Sequence, residues 1–419
     1  MFSAVDDLVP WATGALCGLV GERSVTGSEG GAQTKFAALV RRLSLDVDMW
    51  CPVRDDVSGH RSFCDDGLPL GDRPVVVCQW GNDPRRPTLT LNGHVDVVPE
   101  GDVSQWSHPP WEGTVADARV YGRGSCDMKG GLVAAVLAIA ALQRTGVDPA
   151  VNVMLQSVIG EESGGVGTLA ALQRGYDGDA AIILEPTNMA ICPVSAGAAS
   201  FRLHVGGRAA HAAFRRDGIS ALTLFAGLLP AIEAFETSRH RGFRHAAFPD
   251  GALVAPISVG KVNTGDWPST VPDSLVAEGR LGVLPGEEIA DARAAFEQCI
   301  ATAARGGDWN QVGSPAIEWF EGQFEAASTE LDAELVTMLG RAHAHVAGEA
   351  PQVRGVPYGS DLRLFTNDAE VPAVLYGPGD PSVAHAADEF VPIEQVRDVA
   401  KVMALMLLRP PAVRYGDKA

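Results

Sequence analysis

Five runs of this sequence deliver residues that bind cations or move protons. "TLTLNGHVD" closes on His94 and Asp96. "GRGSCDMKGG" carries Asp127 just ahead of a helix-like run. "VNVMLQSVIGEE" closes on Glu161 and Glu162, "AAIILEPT" reaches Glu185, and "AVLYGPGDPSVAHAADE" holds His385 in the loop after a strand-like run. Taken singly, each has an ordinary explanation. Asp127 can cap the helix after it, Glu185 can close a turn before Pro186, and a lone histidine can sit on the surface. Taken together they do not. Carboxylates and imidazoles gathered at one edge repel or need pairing, and a bound cation is the usual remedy.

Mixed histidine and carboxylate donors suit zinc, with cobalt or manganese as alternatives. Two histidines and three carboxylates exceed what one tetrahedral ion with an open position takes. They suit two ions sharing one carboxylate, which in hydrolytic sites clamp a water between them. One acid must then stay unligated to take that water's proton. Adjacent side chains at a strand end point in different directions, so of Glu161 and Glu162 one can hold metal while the other acts as base.

The elements around these residues support their gathering at one edge. The first half alternates strand-like runs ("VVVCQW", "TLTLNGHVDVV", "VNVMLQSVIG", "AAIILEPT") with helix-like ones. The longest of the latter, "GGLVAAVLAIAALQRTG", is closed by Gly146. This alternation predicts an α/β sheet with helices on its faces. In such a sheet, ligands bind beyond the carboxyl ends of the strands. From about Ser195 the texture changes. Four half-exposed strand patterns ("SFRLHVGGR", "APISVGKVN", "SLVAEGRLGVL", "AIEWFEGQF") and two helical ones make an α+β insert, and the last hundred residues return to α/β texture. The expected domains are therefore 1–194 and 323–419 for the α/β part, interrupted by 195–322.

Composition narrows the class. A chain of 419 residues suggests two domains, and 46% hydrophobic content allows a large core. The net charge of −19 argues against nucleic acid as a partner, because such binders need a basic face. Seven cysteines without paired spacing read as free thiols in a reducing compartment. Asp6 and Asp7 stand where a signal peptide would be basic, and no unbroken apolar run of about 18 residues is evident. The expectation is a cytoplasmic protein with a small-molecule ligand and no membrane span. Cys126 beside Asp127 lacks a base at suitable spacing for a thiol nucleophile. The glycines around it lack the G-K-[ST] of a phosphate loop.

The runs "NGHVDVVP", "GRGSCDMKGG", "GEESGG", "LEPT", "AAHAA" and "AHAADEFVP", in this order, resemble the co-catalytic metallohydrolases that include acetylornithine deacetylase, succinyl-diaminopimelate desuccinylase, aminoacylase and the glutamate carboxypeptidases. The resemblance implies the phosphorylase/hydrolase-like α/β fold of zinc peptidases, with an inserted α+β dimerisation lid of a four-stranded sheet and two helices. It implies two divalent ions per subunit, zinc first. His94 and Glu185 would hold one ion, Glu162 and His385 the other, and Asp127 would bridge them. Glu161 would be the general base, and Asp96 would hydrogen-bond and orient the His94 imidazole. His211, in the insert, would reach the active site of a partner chain and donate to the oxyanion. Arg280 would grip a substrate carboxylate.

The expected activity is removal of an N-acyl group from an amino acid or related amine by a homodimer. A dipeptidase or carboxypeptidase, or a deformylase of an N-formyl amine, are the alternatives. One departure concerns the lid: where many relatives have Asn before a "VVP" run, this chain reads "NTGDWPSTVPD", with Ser269 and Thr270 there. Asn263 is the nearest substitute for that contact.

Overall fold

The computed structural model describes residues 1–409. It divides into two compact units. The first comprises Met1–Val194, Ser328–Arg354 and the chain from Asp361 onward. The second comprises Ser195–Ala327 and Gly355–Ser360.

The first unit is built on a mixed sheet. Its strands run in the order Asp46–Trp50, Val75–Trp80, Asn152–Val158, Thr88–His94, Ala180–Ile183, Ala373–Leu375 and Ile191–Ser195. The four middle strands, from Asn152–Val158 to Ala373–Leu375, are mutually parallel. Asn152–Val158 is buried at every position, as expected of a strand covered on both faces. Buried Asn92 in this sheet has partners: its amide donates to Gln156 Oε1 at 2.9 Å and to Thr168 Oγ1 at 3.0 Å.

Two helices of this unit illustrate how sequence sets burial. Ile393–Leu407 buries Val396, Val399, Ala400, Met403 and Leu407, the spacing of one helical face. Gly130–Thr145 is apolar all round and is buried from Gly130 to Leu142. It ends as predicted at Gly146, whose φ of 66° caps the helix in the left-handed region. Close approach explains Gly131: a Cβ there would lie 2.1 Å from the Leu184 carbonyl oxygen. The helix start therefore presses directly on the strand end that leads to Glu185. Including its first turn, Ser125–Thr145 is by length and composition apolar enough to cross a membrane, although it holds no unbroken apolar run of about 18 residues. Of its most apolar window, 94% is buried inside the protein, so it is a core helix.

The second unit has an antiparallel sheet in the order Ile257–Thr264, Ser274–Val283, Gly197–Gly206, Ala316–Phe324. Helices Ala221–His240 and Ile289–Ala303 pack on it. Phe201, Leu203, Leu275 and Leu281 from the strands meet Phe225, Leu228, Phe296 and Ile300 from the helices. The four strands and two long helices are those the alternating and helical patterns predict. Ser220 caps the first helix, its Oγ accepting from the Thr223 N–H at 3.2 Å. Among the described residues none of the seven cysteines is in a disulfide.

Candidate metal centre

The parallel strands bring their acids and imidazoles to one edge. His94 is the last residue of its strand, Glu185 follows the strand ending at Ile183, and Glu161 and Glu162 follow the strand ending at Val158. Asp127 lies in the turn just before helix Gly130–Thr145, and its peptide bond to Met128 is cis. His385 lies in the loop before strand Phe390–Pro392, in the left-handed region at φ 60°. Gly160 makes the turn into the paired acids. It has φ 65°, and a Cβ there would meet Val166 at 2.8 Å and the Arg73 guanidinium at 3.0 Å.

Two groups of possible ligands result: His94, Asp127 and Glu185, and Asp127, Glu162 and His385. Within each, the ligand atoms lie within 4.8 Å of one another. Asp127 belongs to both. Its Oδ1 is 3.2 Å from His94 Nε2, and its Oδ2 is 3.4 Å from His385 Nε2. His94 Nε2 is also 3.7 Å from Glu185 Oε1, and His385 Nε2 is 3.2 Å from Glu162 Oε1. Glu161, 8% exposed, belongs to neither group. The five residues foreseen as ligands are thus brought together, with the foreseen base beside them.

The charges explain why such a cluster wants a cation. Burial, and then Glu185, push the Glu161 carboxyl well above the usual carboxylate range. Burial and then Asp127 do the same to Glu185. Burial would also raise Asp127, but hydrogen bonds from His385 and His94 hold it low. Hydrogen bonds to Asp127 and Glu162 hold His385 up to about 11. Burial disfavours the charged form of His94, yet Asp127 and then Glu185 hold its pKa well above the ordinary imidazole value. Positive charge in each group answers the same carboxylates, and these hard oxygen and imidazole donors suit a divalent ion.

Asp96 meets the His94 ring as expected, but through its backbone. The His94 Nδ1 hydrogen bond goes to the Asp96 backbone carbonyl at 2.8 Å, while the carboxylate stands 3.7 Å away. This still fixes the ring with Nε2 turned to the acids. The Asp96 carboxylate instead accepts the N–H groups of Glu161 at 3.2 Å and Glu162 at 3.1 Å. A fully buried carboxylate needs donors, and the backbone of the paired acids supplies them.

Sequence reasoning passed over Glu389 and Asp361. Glu389 Oε1 accepts from the N–H of both Cys126 and Asp127 at 3.0 Å, and its Oε2 pairs with buried Arg123 at 2.6 Å. It lies four residues past His385, so it ties two ligand segments together; an acid followed by an apolar pair in "DEFV" was the available signal. Asp361 is fully buried and accepts from Thr168 Oγ1 at 2.5 Å. Burial pushes its carboxyl up.

The remaining candidates belong to the second unit. His211 is exposed, and its Nδ1 accepts from the Ala213 N–H at 3.1 Å. That bond leaves the proton on Nε2, as a donor. Asn263 is exposed opposite Val276 on the edge strand. Arg280 sits opposite Ser258 and Ser200, donates to the Pro357 carbonyl at 3.2 Å, and has no carboxylate partner among the described residues. Burial alone lowers its pKa.

Residues 90–409 match the model of "Peptidase family M20/M25/M40". The N-formyl-4-amino-5-aminomethyl-2-methylpyrimidine deformylase of Halalkalibacterium halodurans is 26% identical over 391 residues, covering 89% of this chain and 87% of that protein. A "probable succinyl-diaminopimelate desuccinylase" of Staphylococcus epidermidis is 27% identical over 330 residues, covering 73% and 79%. Human carnosine dipeptidase 1 has the same fold, with a TM-score of 0.76 at 16% identity, covering 97% of this chain and 98% of that one. With the matched segment spanning most of the chain and every ligand segment within it, this protein belongs to peptidase family M20/M25/M40 and is a metal-dependent amidohydrolase.

Proposed function

We propose that this enzyme removes an N-acyl group from an amino acid or a closely related amine, as an acetylornithine deacetylase does. The observation that carries the chemistry is Glu161, a buried carboxylate outside both ligand groups and beside them. His94 and Glu185 would hold one ion, Glu162 and His385 the other, with Asp127 common to both; zinc suits the donors best, with cobalt or manganese as alternatives. When bound, such ions acidify a water and polarise the amide carbonyl. Glu161 takes the proton of the attacking water, being raised towards the working range of a general base, and returns it to the leaving amine. Asp96 holds the backbone of Glu161 and Glu162, and through its carbonyl the ring of His94.

Arg280 supports a substrate that bears a carboxylate. A half-buried guanidinium without an acid partner is a ready site for an anion, which a planar donor fork binds well. His211, with its proton on Nε2, is suited to donate to the developing oxyanion. The two are far apart within one chain. Six residues of strand, roughly 20 Å, separate Arg280 from Ser274, and His211 is bridged further along, to Thr270. An amino-acid-sized substrate does not span that distance. The reading that follows is a homodimer in which His211 and Arg280 reach one substrate from different chains. Leu222 and Leu229, exposed on helix Ala221–His240, offer apolar surface for such an interface. Asn263 is the proposed further polar contact to substrate. Cysteines outside disulfides fit a cytoplasmic setting.

The second reading is a deformylase of an N-formyl amine, favoured by the extent of the deformylase match. A dipeptidase or carboxypeptidase uses the same machinery. Hydrolysis of acetyl, succinyl and formyl amino acids, formylated heterocyclic amines and short dipeptides by the metal-loaded enzyme separates these. The first reading requires the acyl amino acids to give the highest kcat/KM. A preference for formylated amines without a carboxylate would replace it with the second.

A further inference from the structure

The turn that carries the paired acids is held from a side that the proposed chemistry does not use. Ser163, directly after Glu162, donates its hydroxyl to Asp66 Oδ2 at 3.0 Å. The same Asp66 oxygen accepts from Arg73 Nη1 at 2.9 Å, and Asp66 Oδ1 accepts from the Leu68 N–H at 3.0 Å. Arg73, 1% exposed, turns the rest of its guanidinium to fully buried Glu29: Nε is 2.9 Å and Nη2 2.8 Å from the two carboxylate oxygens. Glu29 in turn accepts from the Gly27 N–H at 3.0 Å. Arg73 therefore has a fork partner already, and its remaining N–H fixes Asp66.

The surrounding segment is pinned onto the same turn. Arg363 Nη2 bridges the carbonyl oxygens of Ser62 at 3.2 Å and Gly164 at 2.8 Å. A Cβ on Gly164 would lie 2.4 Å from Cys64 Cβ, so the two backbones are in close contact. The side chain of Asp66 is only 5% exposed. Burying a cation and two carboxylates for stability alone is a weak device, because desolvation offsets most of the Coulomb gain. Buried polar networks earn their place more often by fixing one arrangement. Here the arrangement fixed is the Glu161–Glu162–Ser163 turn. Asp96 holds its amides from one side, and Asp66 holds Ser163 from the other.

We propose that Asp66, held in place by Arg73, is a positioning residue. Through Ser163 it sets the turn so that Glu161 and Glu162 keep separate directions, one towards the reacting water and one towards the ion. This rests on Glu161 being the proton acceptor. Displacing a catalytic group by an ångström can cost about 10²-fold, and supporting contacts of this kind are what hold such groups within about 0.5 Å.

The test uses the full-length, metal-loaded enzyme and four variants: Ser163→Ala, Ser163→Thr, Asp66→Ala, and the Ser163→Ala/Asp66→Ala pair. For each, kcat, KM, bound metal per chain and Tm are measured. Ser163→Ala should lower kcat by roughly tenfold to 10²-fold with KM within about twofold, and bound metal should fall at most slightly, since the Glu162 carboxylate itself remains. Ser163→Thr, which keeps the hydroxyl, should recover most of that loss. The double variant should be no worse than the larger single one, since both remove the same link. A kcat at the parent level in Ser163→Ala, with only Tm lowered, overturns the proposal, and so do fully additive losses. Should Asp66→Ala fail to fold, the Ser163→Ala and Ser163→Thr comparison still decides, because it leaves the ion pairs intact. Glu161→Gln separates the two levels of the argument. If it turns over normally, the base assignment falls and this proposal with it. If it is inactive while Ser163→Ala is normal, only this proposal falls.

Discussion

The candidate site residues of the two units differ in their surroundings. In the first, His94, Glu185 and Glu161 are 1%, 5% and 8% exposed, and every one has close charged neighbours. In the second, His211 and Asn263 are exposed, and Arg280 lacks an acid partner among the described residues. The contrast fits the roles proposed for these residues. Fixed charges act on a reacting bond most strongly when water is excluded and nothing must reorganise. Groups proposed to meet the substrate, such as Arg280 and Asn263, must instead be left free to do so. Changes in the first unit should therefore strike metal content and kcat, and changes in the second should depend on which substrate or which partner chain is supplied.

The strongest way to break this comparison is to remove the metal. A chelator should abolish activity, and zinc or cobalt should restore it; an active preparation without bound transition metal would leave the two ligand groups without a purpose. Next come the paired acids. Glu161→Gln should keep its metal and lose about 10²–10⁴-fold in kcat, whereas Glu162→Gln should lose one ion by elemental analysis. If both variants bind metal as the parent does, the division of roles between them is mistaken.

The same contrast explains what could be read in the sequence. Apolar runs ending in His94, Glu162 and Glu185 announce both a buried strand and its polar end, so the sheet and the ligand set share one signal. The two helices of the second unit are legible because Phe225, Leu228 and Ile232 keep a helical spacing. What left no trace is contact between distant side chains. Ser163 meets Asp66 across 97 residues, and Cys126 meets Glu389 across 263; neither pairing alters any local periodicity. Asp96 meets His94 as expected but through its backbone, and spacing from His94 cannot tell a carbonyl from a carboxylate. Gly355–Ser360 joins the second unit through single contacts such as the Gly355 N–H to the Ala247 carbonyl, 2.6 Å, too short a stretch to carry a pattern.

A smaller effect is expected at His211, and it sharpens the comparison by asking whose site it serves. His211→Ala should lower kcat by about 10²–10³-fold, the usual loss for one oxyanion donor, with metal content and fold intact. Mixed with Glu161→Gln under conditions where subunits exchange, it should regain part of the activity, because one site of a mixed dimer has both groups. Exchange shown to occur without any recovery would mean that His211 acts in its own chain or not at all.

The smallest effect should come from Arg280, and it depends on the substrate alone. A charge-assisted hydrogen bond contributes about 1.5–3 kcal/mol, so Arg280→Ala should cost roughly ten- to 150-fold in kcat/KM for an acyl amino acid. The loss should fall mainly on KM, since the carboxylate is held equally in the ground and transition states. For the matching amide or methyl ester the parent enzyme should already be poor, and the variant scarcely poorer. Arg280→Lys should recover only part of the carboxylate effect, because an ammonium lacks the planar fork. An equal loss on charged and neutral substrates would assign Arg280 to its bond with the Pro357 carbonyl, a prop for the Gly355–Ser360 segment. The unpaired guanidinium would then no longer favour acyl amino acids over formylated amines.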